Sequence, residues 1–273
     1  MGYYQGKKVY ITGGSSGIGK AIAAELVKRG ASVAISARGQ ERLDQAKEEL
    51  QALASAGQTV AAFAVDVSDH DQVQATAAQV LEALGGLDVL INNAGVAHVG
   101  RIEDEGPDAY RRMMDINYFG TVWTTMAFLP HFMDQRSGHV SCVSSALGLM
   151  GLFGYTAYAA SKHAIVGYAD CLRQDMLQYG VGVSVLFPFD TDTPQLHEEN
   201  RSKPAETKAL AGTVKVVSPE SVAVAYLNAI ARGSYHIIPG LENKAVIWAQ
   251  HKVPWLVRWV IDRDLRKHWR SKA

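Results

Sequence analysis

The sequence predicts an α/β fold, a doubly wound parallel sheet flanked by helices on both faces. Apolar, β-branched runs alternate with segments of helical periodicity in the order β-α-β-α-β-α-β up to residue 91, and a glycine-rich turn joins the first run to the first helix. In addition Gly13, Arg38, Asp66 and Asn92 all fall at the carboxyl ends of runs, where open parallel sheets bind ligands. A chain of 273 residues can form one large domain that buries roughly 75% of its unfolded surface. Its 48% hydrophobic and 20% charged residues read as soluble and globular. With 27 basic against 27 acidic residues, no net field recruits nucleic acid.

The first strand, residues 8–11, ends in T-G-G-S-S-G-I-G (residues 12–19), and helical periodicity from Lys20 stops at Gly30. Gly13, Gly17 and Gly19 permit a tight turn and close backbone approach to a pyrophosphate at the helix N-terminus; a glycine turn without a ligand is the plainer alternative. A second strand, 32–36, leads to Ala37-Arg38, with no carboxylate where such folds meet the adenosine ribose. Arg38 would attract a 2′-phosphate and so favours NADP over NAD, against the plainer reading of a solvated arginine opening the next helix. A helix over 41–56 and a strand over 59–65 follow. That strand delivers Asp66, placed to accept from an adenine amino group, while Ser68 or Asp69 could cap the helix over 71–84. A fourth strand, 87–91, closes in Asn92-Asn93-Ala94-Gly95. A long helix over 108–131 then holds Asn117 in its interior. A mid-helix amide usually points to solvent or to a backbone carbonyl; the alternative is a kinked turn that exposes Asn117 to a water. Strand 139–143 delivers Ser144-Ser145, helix 155–179 carries Tyr158 and Lys162, and strand 181–187 opens into Pro188 and a polar segment reaching Ser218.

Tyr158 and Lys162 are one helical turn apart and share a face. A positive charge beside a phenol favours its phenolate, so the pair can give a proton to a nascent alkoxide or take one from an alcohol. With 11 Tyr and 13 Lys in the chain, the pair alone is weak; its context has to support it. Cys142 and Cys171 lack C-x-x-C spacing and are read as small buried apolar residues suited to a reducing compartment. The nine histidines show no ligand spacing, so no metal is expected, and His98 and His197 are incidental neighbours of the pocket. Neither a signal-peptide core nor an apolar run of transmembrane length occurs, and a cytoplasmic location is expected.

The glycine turn at 12–19, N-N-A-G at 92–95, Asn117, Ser145 and Y-A-A-S-K at 158–162 together resemble the short-chain dehydrogenase/reductase superfamily, in order and spacing across residues 7–240. The resemblance implies a Rossmann-like fold, NADPH/NADP as cofactor, and a homodimer or homotetramer. It implies that Tyr158 is the general acid/base and that Lys162 lowers its pKa while holding the nicotinamide ribose. Ser145 would hydrogen-bond the substrate oxygen, and Asn117 would hold a water in a proton relay to Lys162. Ser144 is set aside, because alternation along a strand turns its side chain away. The implied cofactor site comprises Thr12, Gly13, Ser15, Ser16, Gly17, Ile18 and Gly19 in the glycine turn. Arg38, Asp66 and Val67 follow the second and third strands, Asn93, Ala94 and Gly95 the fourth, and Pro188, Thr191 and Thr193 the sixth, joined by Tyr158 and Lys162.

A narrower resemblance lies in the segment after the sixth strand. Pro188-Phe189 stands where most members have Pro-Gly, and D-T-D-T-P (190–194) with E-E-N-R-S-K-P-A-E-T-K (198–208) is similar to 3-ketodihydrosphingosine reductases. That implies NADPH-dependent reduction of 3-ketodihydrosphingosine to dihydrosphingosine in sphingolipid synthesis, with the substrate entering by the loop around 189–215. The alternatives are a reductase of another ketone (a 3-oxoacyl thioester, a steroid or a xenobiotic) and a non-catalytic nucleotide-sensing protein. Unlike the family's eukaryotic members, this sequence shows no N-terminal transmembrane segment. Residues 1–240 are expected to form the reductase domain and 241–273 a basic, Trp-rich amphipathic helical extension. The extension holds Trp248, Trp255, Trp259 and Trp269, and from Lys252 onward seven Lys/Arg against two Asp. Such a helix suits peripheral contact with a membrane surface and hence a lipidic ketone; packing on its own domain or on a second subunit is the alternative.

Overall fold

Seven apolar runs pair side by side as a wholly parallel sheet in the computed structural model, which describes residues 2–211 and 215–271. The strands are β1 (Lys8–Thr12), β2 (Ser32–Ala37), β3 (Val60–Ala64), β4 (Val89–Asn92), β5 (Gly138–Val143), β6 (Val181–Leu186) and β7 (His236–Ile237). Their order is β3-β2-β1-β4-β5-β6-β7, with Val9 of β1 between Val33 and Val89. The chain winds outward in one direction from β1 and then in the other from β4, which leaves a crevice between the two loops at that point.

Both faces of the sheet are covered, so its strands are mostly apolar, and the polar residues within β5 and β6, His139, Ser141 and Ser184, are buried and hydrogen-bonded to one another. Successive side chains still go to opposite faces. Ile11 and Ile35 pack with Ile22 and Leu26 of α1 (Gly17–Lys28) and with Tyr226 and Leu227 of α9 (Pro219–Ala231). Tyr10 and Leu90 go to the other face, against Phe128 and Phe132 of α5 (Gly120–Gln135) and Ile165 and Leu172 of α6 (Thr156–Met176). The other helices are α2 (Gln40–Leu53), α3 (His70–Leu84), α4 (Pro107–Met113), α7 (Pro194–Ser202), α8 (Ala205–Ala211), α10 (Leu241–Lys252) and α11 (Pro254–Arg270). Asp69 caps α3, accepting from the backbone N–H groups of Asp71 and Gln72, whereas Ser68 turns back to Asp66.

Three expectations change. The helix over 108–131 is α4 and α5 joined by a widened π turn, Met114–Phe119, and that extra residue swings Asn117 inward to complete burial. Cys171 is exposed on the outer side of α6; only Cys142 is buried, where desolvation pushes its thiol up to about 12. The extension is two helices, broken at Val253 and restarted by Pro254 at a first-turn position, where its missing N–H costs nothing. Among the described residues no helix is long and apolar enough to cross a membrane. Residues 212–214 of the expected substrate loop and 272–273 of the extension lie outside the described residues.

Phe132 is fully buried in the helix-covered face of the sheet. Replacing it with Ala is expected to destabilise the fold by ~3–5 kcal/mol, read as a lower urea midpoint; an unchanged midpoint would remove Phe132 from the core.

Candidate active site

A cavity of about 1390 Å³ opens at the carboxyl ends of the strands, bounded by the glycine turn, the loop after β4, the segment after β6 and the extension helices. Its volume exceeds that of a drug-sized pocket and leaves room for two ligands side by side. At its floor the glycine turn is held by the neighbouring loop. Gly13 has φ +69, and a Cβ there would stand 2.8 Å from the Ala94 Cα; one on Gly19 would stand 2.3 Å from the Gly13 carbonyl oxygen. The Thr12 hydroxyl accepts from the N–H groups of Asn93 and Ala94, both at 3.0 Å, and the Asn93 amide donates to the carbonyls of Thr12 and Gly13. Thr12 is therefore a buried brace beneath the turn and does not line the cavity, contrary to expectation. Gly13, Ser15, Ser16, Gly17, Ile18 and Gly19 do line it. Ser16 at the start of α1 forms no side-chain cap, and the first turn carries no acidic residue, so that helix end is free to take an anion.

At one end of the cavity Arg38 is half exposed, with Nη1 4.0 Å from Oδ2 of Asp66. The other oxygen of Asp66 accepts from the Ser68 N–H and hydroxyl. Val67 lines the same end, as does Arg42 in the first turn of α2, which the sequence did not single out. A glycine cradle closed to any Cβ, an uncapped helix N-terminus and two arginines fit a dinucleotide carrying a 2′-phosphate.

At the other end stand Ser145, Tyr158 and Lys162. Ser144 is turned down, its hydroxyl donating to the Lys162 carbonyl at 2.9 Å, while Ser145 faces Tyr158. Burial raises the Tyr158 phenol well above its ordinary pKa, the Glu199 carboxylate adds to the rise and so does Asp190, with Ser145 pulling the other way. The resemblance implied a phenol lowered by Lys162. In the structure Lys162 instead donates to the Val143 carbonyl at 3.0 Å, its ammonium 5.7 Å from the centre of the Tyr158 ring, and burial lowers its own pKa to about 8. Asn117 is held by protein groups: its Oδ1 accepts from the Val96 N–H, and its Nδ2 donates to the Val96 carbonyl and the Ser161 hydroxyl, so both amide hydrogens are engaged while Oδ1 keeps one acceptor site. It acts as a clamp on the loop after β4. A Cβ on Gly95 would lie 3.1 Å from its Oδ1 and 3.3 Å from Lys162 Nζ.

Asn93, Ala94, Gly95, Pro188, Thr191 and Thr193 line the cavity between these ends. The Thr193 hydroxyl accepts from the Leu196 N–H to cap α7, and the Thr191 hydroxyl donates to the Phe189 carbonyl. Tyr155 and Glu199 line the cavity too, the Tyr155 hydroxyl donating to Glu199 at 2.8 Å. Glu199 is a lining residue that the sequence did not single out. Leu256, Val257, Val260 and Ile261 of α11 form an apolar wall. His98 borders the cavity, His197 pairs with Asp192, and no group of metal-holding side chains occurs among the described residues.

Known proteins share this arrangement. A family profile described as short chain dehydrogenase matches residues 7–204. A zebrafish (Danio rerio) 3-dehydrosphinganine reductase is 42% identical over 84% of this chain and 70% of its own length. A cattle (Bos taurus) 3-ketodihydrosphingosine reductase is 42% identical over 87% of this chain and 72% of its own length. Among solved structures, a short chain dehydrogenase/reductase from Burkholderia phymatum in complex with NAD superposes with a TM-score of 0.82 at 27% identity, covering 94% of this chain and 96% of that one. The profile spans β1 to β6 and reaches into the segment after β6, and so includes both ends of the cavity. On that basis the chain belongs to the short-chain dehydrogenase family of oxidoreductases.

Proposed function

We propose that the protein uses NADPH to reduce 3-ketodihydrosphingosine to dihydrosphingosine, a step of sphingolipid synthesis. The observation that carries the reading is the buried Ser145–Tyr158 pair at one end of a cavity whose other end presents Arg38. The substrate is suggested by what the zebrafish and cattle relatives are named for, and the aliphatic wall of α11 suits an alkyl chain.

Bound NADPH would supply the hydride for the carbonyl carbon. Arg38, with Arg42, would hold the 2′-phosphate, the N-terminus of α1 would take the pyrophosphate, and Lys162 would hold the nicotinamide ribose. Ser145 and Tyr158 donate to the ketone oxygen and stabilise the charge that builds there. A phenol raised by burial carries its proton at neutral pH, as an acid in a reduction must, and Tyr158 passes that proton to the nascent alkoxide. The Lys162 ammonium, still mostly protonated at neutral pH, stabilises the phenolate left behind. Asn117 serves as a positioning residue for Gly95 and Lys162.

The reading includes residues 1–240 as the catalytic body and 241–273 as an extension that closes the cavity and rests on an anionic bilayer. Its two faces differ in chemistry. Val257, Val260 and Ile261 turn toward the body, while Trp248, Trp255 and Trp259 are more than half exposed. Beside Trp259 a groove is formed by Asp262, Arg263, Arg266, Lys267 and Arg270, four cations against one carboxylate. Aromatic rings with cations on one helix face complement lipid headgroups. Assembly as a homodimer or homotetramer also belongs to this reading, and a monomeric mass by sedimentation would remove it.

Tyr158→Phe is expected to lower kcat by roughly 10²–10⁴-fold while NADPH still quenches protein fluorescence on binding; unchanged turnover would take Tyr158 out of the chemistry. Arg38→Asp should raise the KM for NADPH roughly tenfold to a hundredfold and leave NADH little affected. Equal effects on both would make Arg38 a surface charge. Replacing Trp255 and Trp259 together with Ala should abolish co-sedimentation with anionic liposomes and spare turnover of a detergent-dispersed ketone. Undiminished liposome binding would count for packing of that face on another subunit.

A further inference from the structure

The segment after β6 brings four carboxylates together, and one of them differs from the rest. Asp190 lies 3.9 Å from Lys203 Nζ, Asp192 2.8 Å from His197 Nε2 and Glu198 2.8 Å from Arg201 Nη1. Glu199 has no basic side chain within 4.0 Å among the described residues. Its Oε2 accepts from the Tyr155 hydroxyl at 2.8 Å and its Oε1 from the Gln195 amide at 3.1 Å. Two neutral donors leave part of a carboxylate's acceptor capacity unused. Glu199 is partly buried, lines the cavity and lies on the same side as the reacting phenol: the rings of Tyr155 and Tyr158 are 5.9 Å apart. A partly desolvated anion with no cation is costly by itself and is stabilised by a cationic ligand.

We propose that Glu199, oriented by Tyr155, binds the ammonium group of an α-amino ketone substrate. The inference rests on the function proposed above, because 3-ketodihydrosphingosine carries its amine on the carbon next to the carbonyl. With the ketone oxygen on Ser145 and Tyr158, that amine is directed at the Tyr155–Glu199 side of the cavity. Binding has an electrostatic consequence for the chemistry. The Glu199 charge helps to keep the proton on Tyr158, and an ammonium beside it cancels that contribution, so the amine both anchors the substrate and eases proton transfer. Asp190 acts on Tyr158 in the same sense but is engaged with the almost fully buried Lys203.

The test compares wild type and Glu199→Gln in steady-state reduction of 3-ketodihydrosphingosine and of its analogue with hydrogen in place of the amine. Gln keeps an acceptor for the Tyr155 hydroxyl and loses the charge; its NH2 group replaces the oxygen that accepts from Gln195, an exposed amide that can turn its own oxygen to meet it. The ratio of kcat/KM values, amino ketone over deamino ketone, is expected to fall about tenfold to a hundredfold in the variant, mainly through KM. A ratio equal to that of wild type overturns the assignment, and so does an equal loss on both ketones, which would mark a structural role. Wild type that reduces other ketones but not 3-ketodihydrosphingosine would overturn the function proposed above and this inference with it.

Discussion

The cross-link between the loops leaving β1 and β4 is the constraint on which the cavity depends. A parallel sheet whose winding reverses leaves a gap at the reversal, and two loops ending side by side there have backbone donors and acceptors that no strand can satisfy. Thr12 and Asn93 satisfy them reciprocally: one hydroxyl takes two N–H groups and one amide serves two carbonyls. Because those bonds fix the loops at contact distance, Gly13 and Gly19 cannot carry side chains where the turn meets Asn93 and Ala94. The residues with least exposure to a ligand thus shape the place where one binds.

The same economy holds at the catalytic end, where burial acts on opposite charges in opposite directions. Desolvation raises the Tyr158 phenol and lowers the Lys162 ammonium to about 8, so each is pushed toward its neutral form. For a reduction this suits the phenol, which must begin protonated. The Val143 carbonyl holds the Lys162 ammonium in place beside Gly95, and Asn117 holds that loop by grasping both backbone groups of Val96. The π turn is the local irregularity that makes this possible, since a regular helix from Pro107 to Gln135 would rotate the amide elsewhere.

Much of this was legible in the sequence because it is encoded locally. Strands announce themselves by apolar runs, the glycine turn by its spacing, and Ser145, Tyr158 and Lys162 by their place at a strand end and on a helix face. What escaped was encoded across distance. Nothing near Asn117 in sequence says that its partner is Val96, and nothing near Glu199 names Tyr155, 44 residues away. Cys171 was misjudged because residue type was taken as a guide to burial, when the helix face decides it. Arg42 escaped as well, because Arg38 precedes the helix that holds Arg42 and the turn between them sets where both side chains go.

The extension shows why its own alternatives could not be separated from sequence. An amphipathic helix that packs on its domain and one that rests on a bilayer both require an apolar stripe, and composition cannot say how many stripes there are. In the structure there are two chemistries on one rod: an aliphatic stripe through Val257, Val260 and Ile261 that lines the cavity, and a Trp–Arg face turned outward. Packing and membrane contact are then compatible uses of opposite sides. The Trp269 indole donates to Glu206, which also binds Arg101 of the loop after β4, so the far end of the rod is tethered to the catalytic body. That tether holds the aliphatic stripe of α11 in place as a wall of the cavity, so the position of the extension and the shape of the cavity depend on each other.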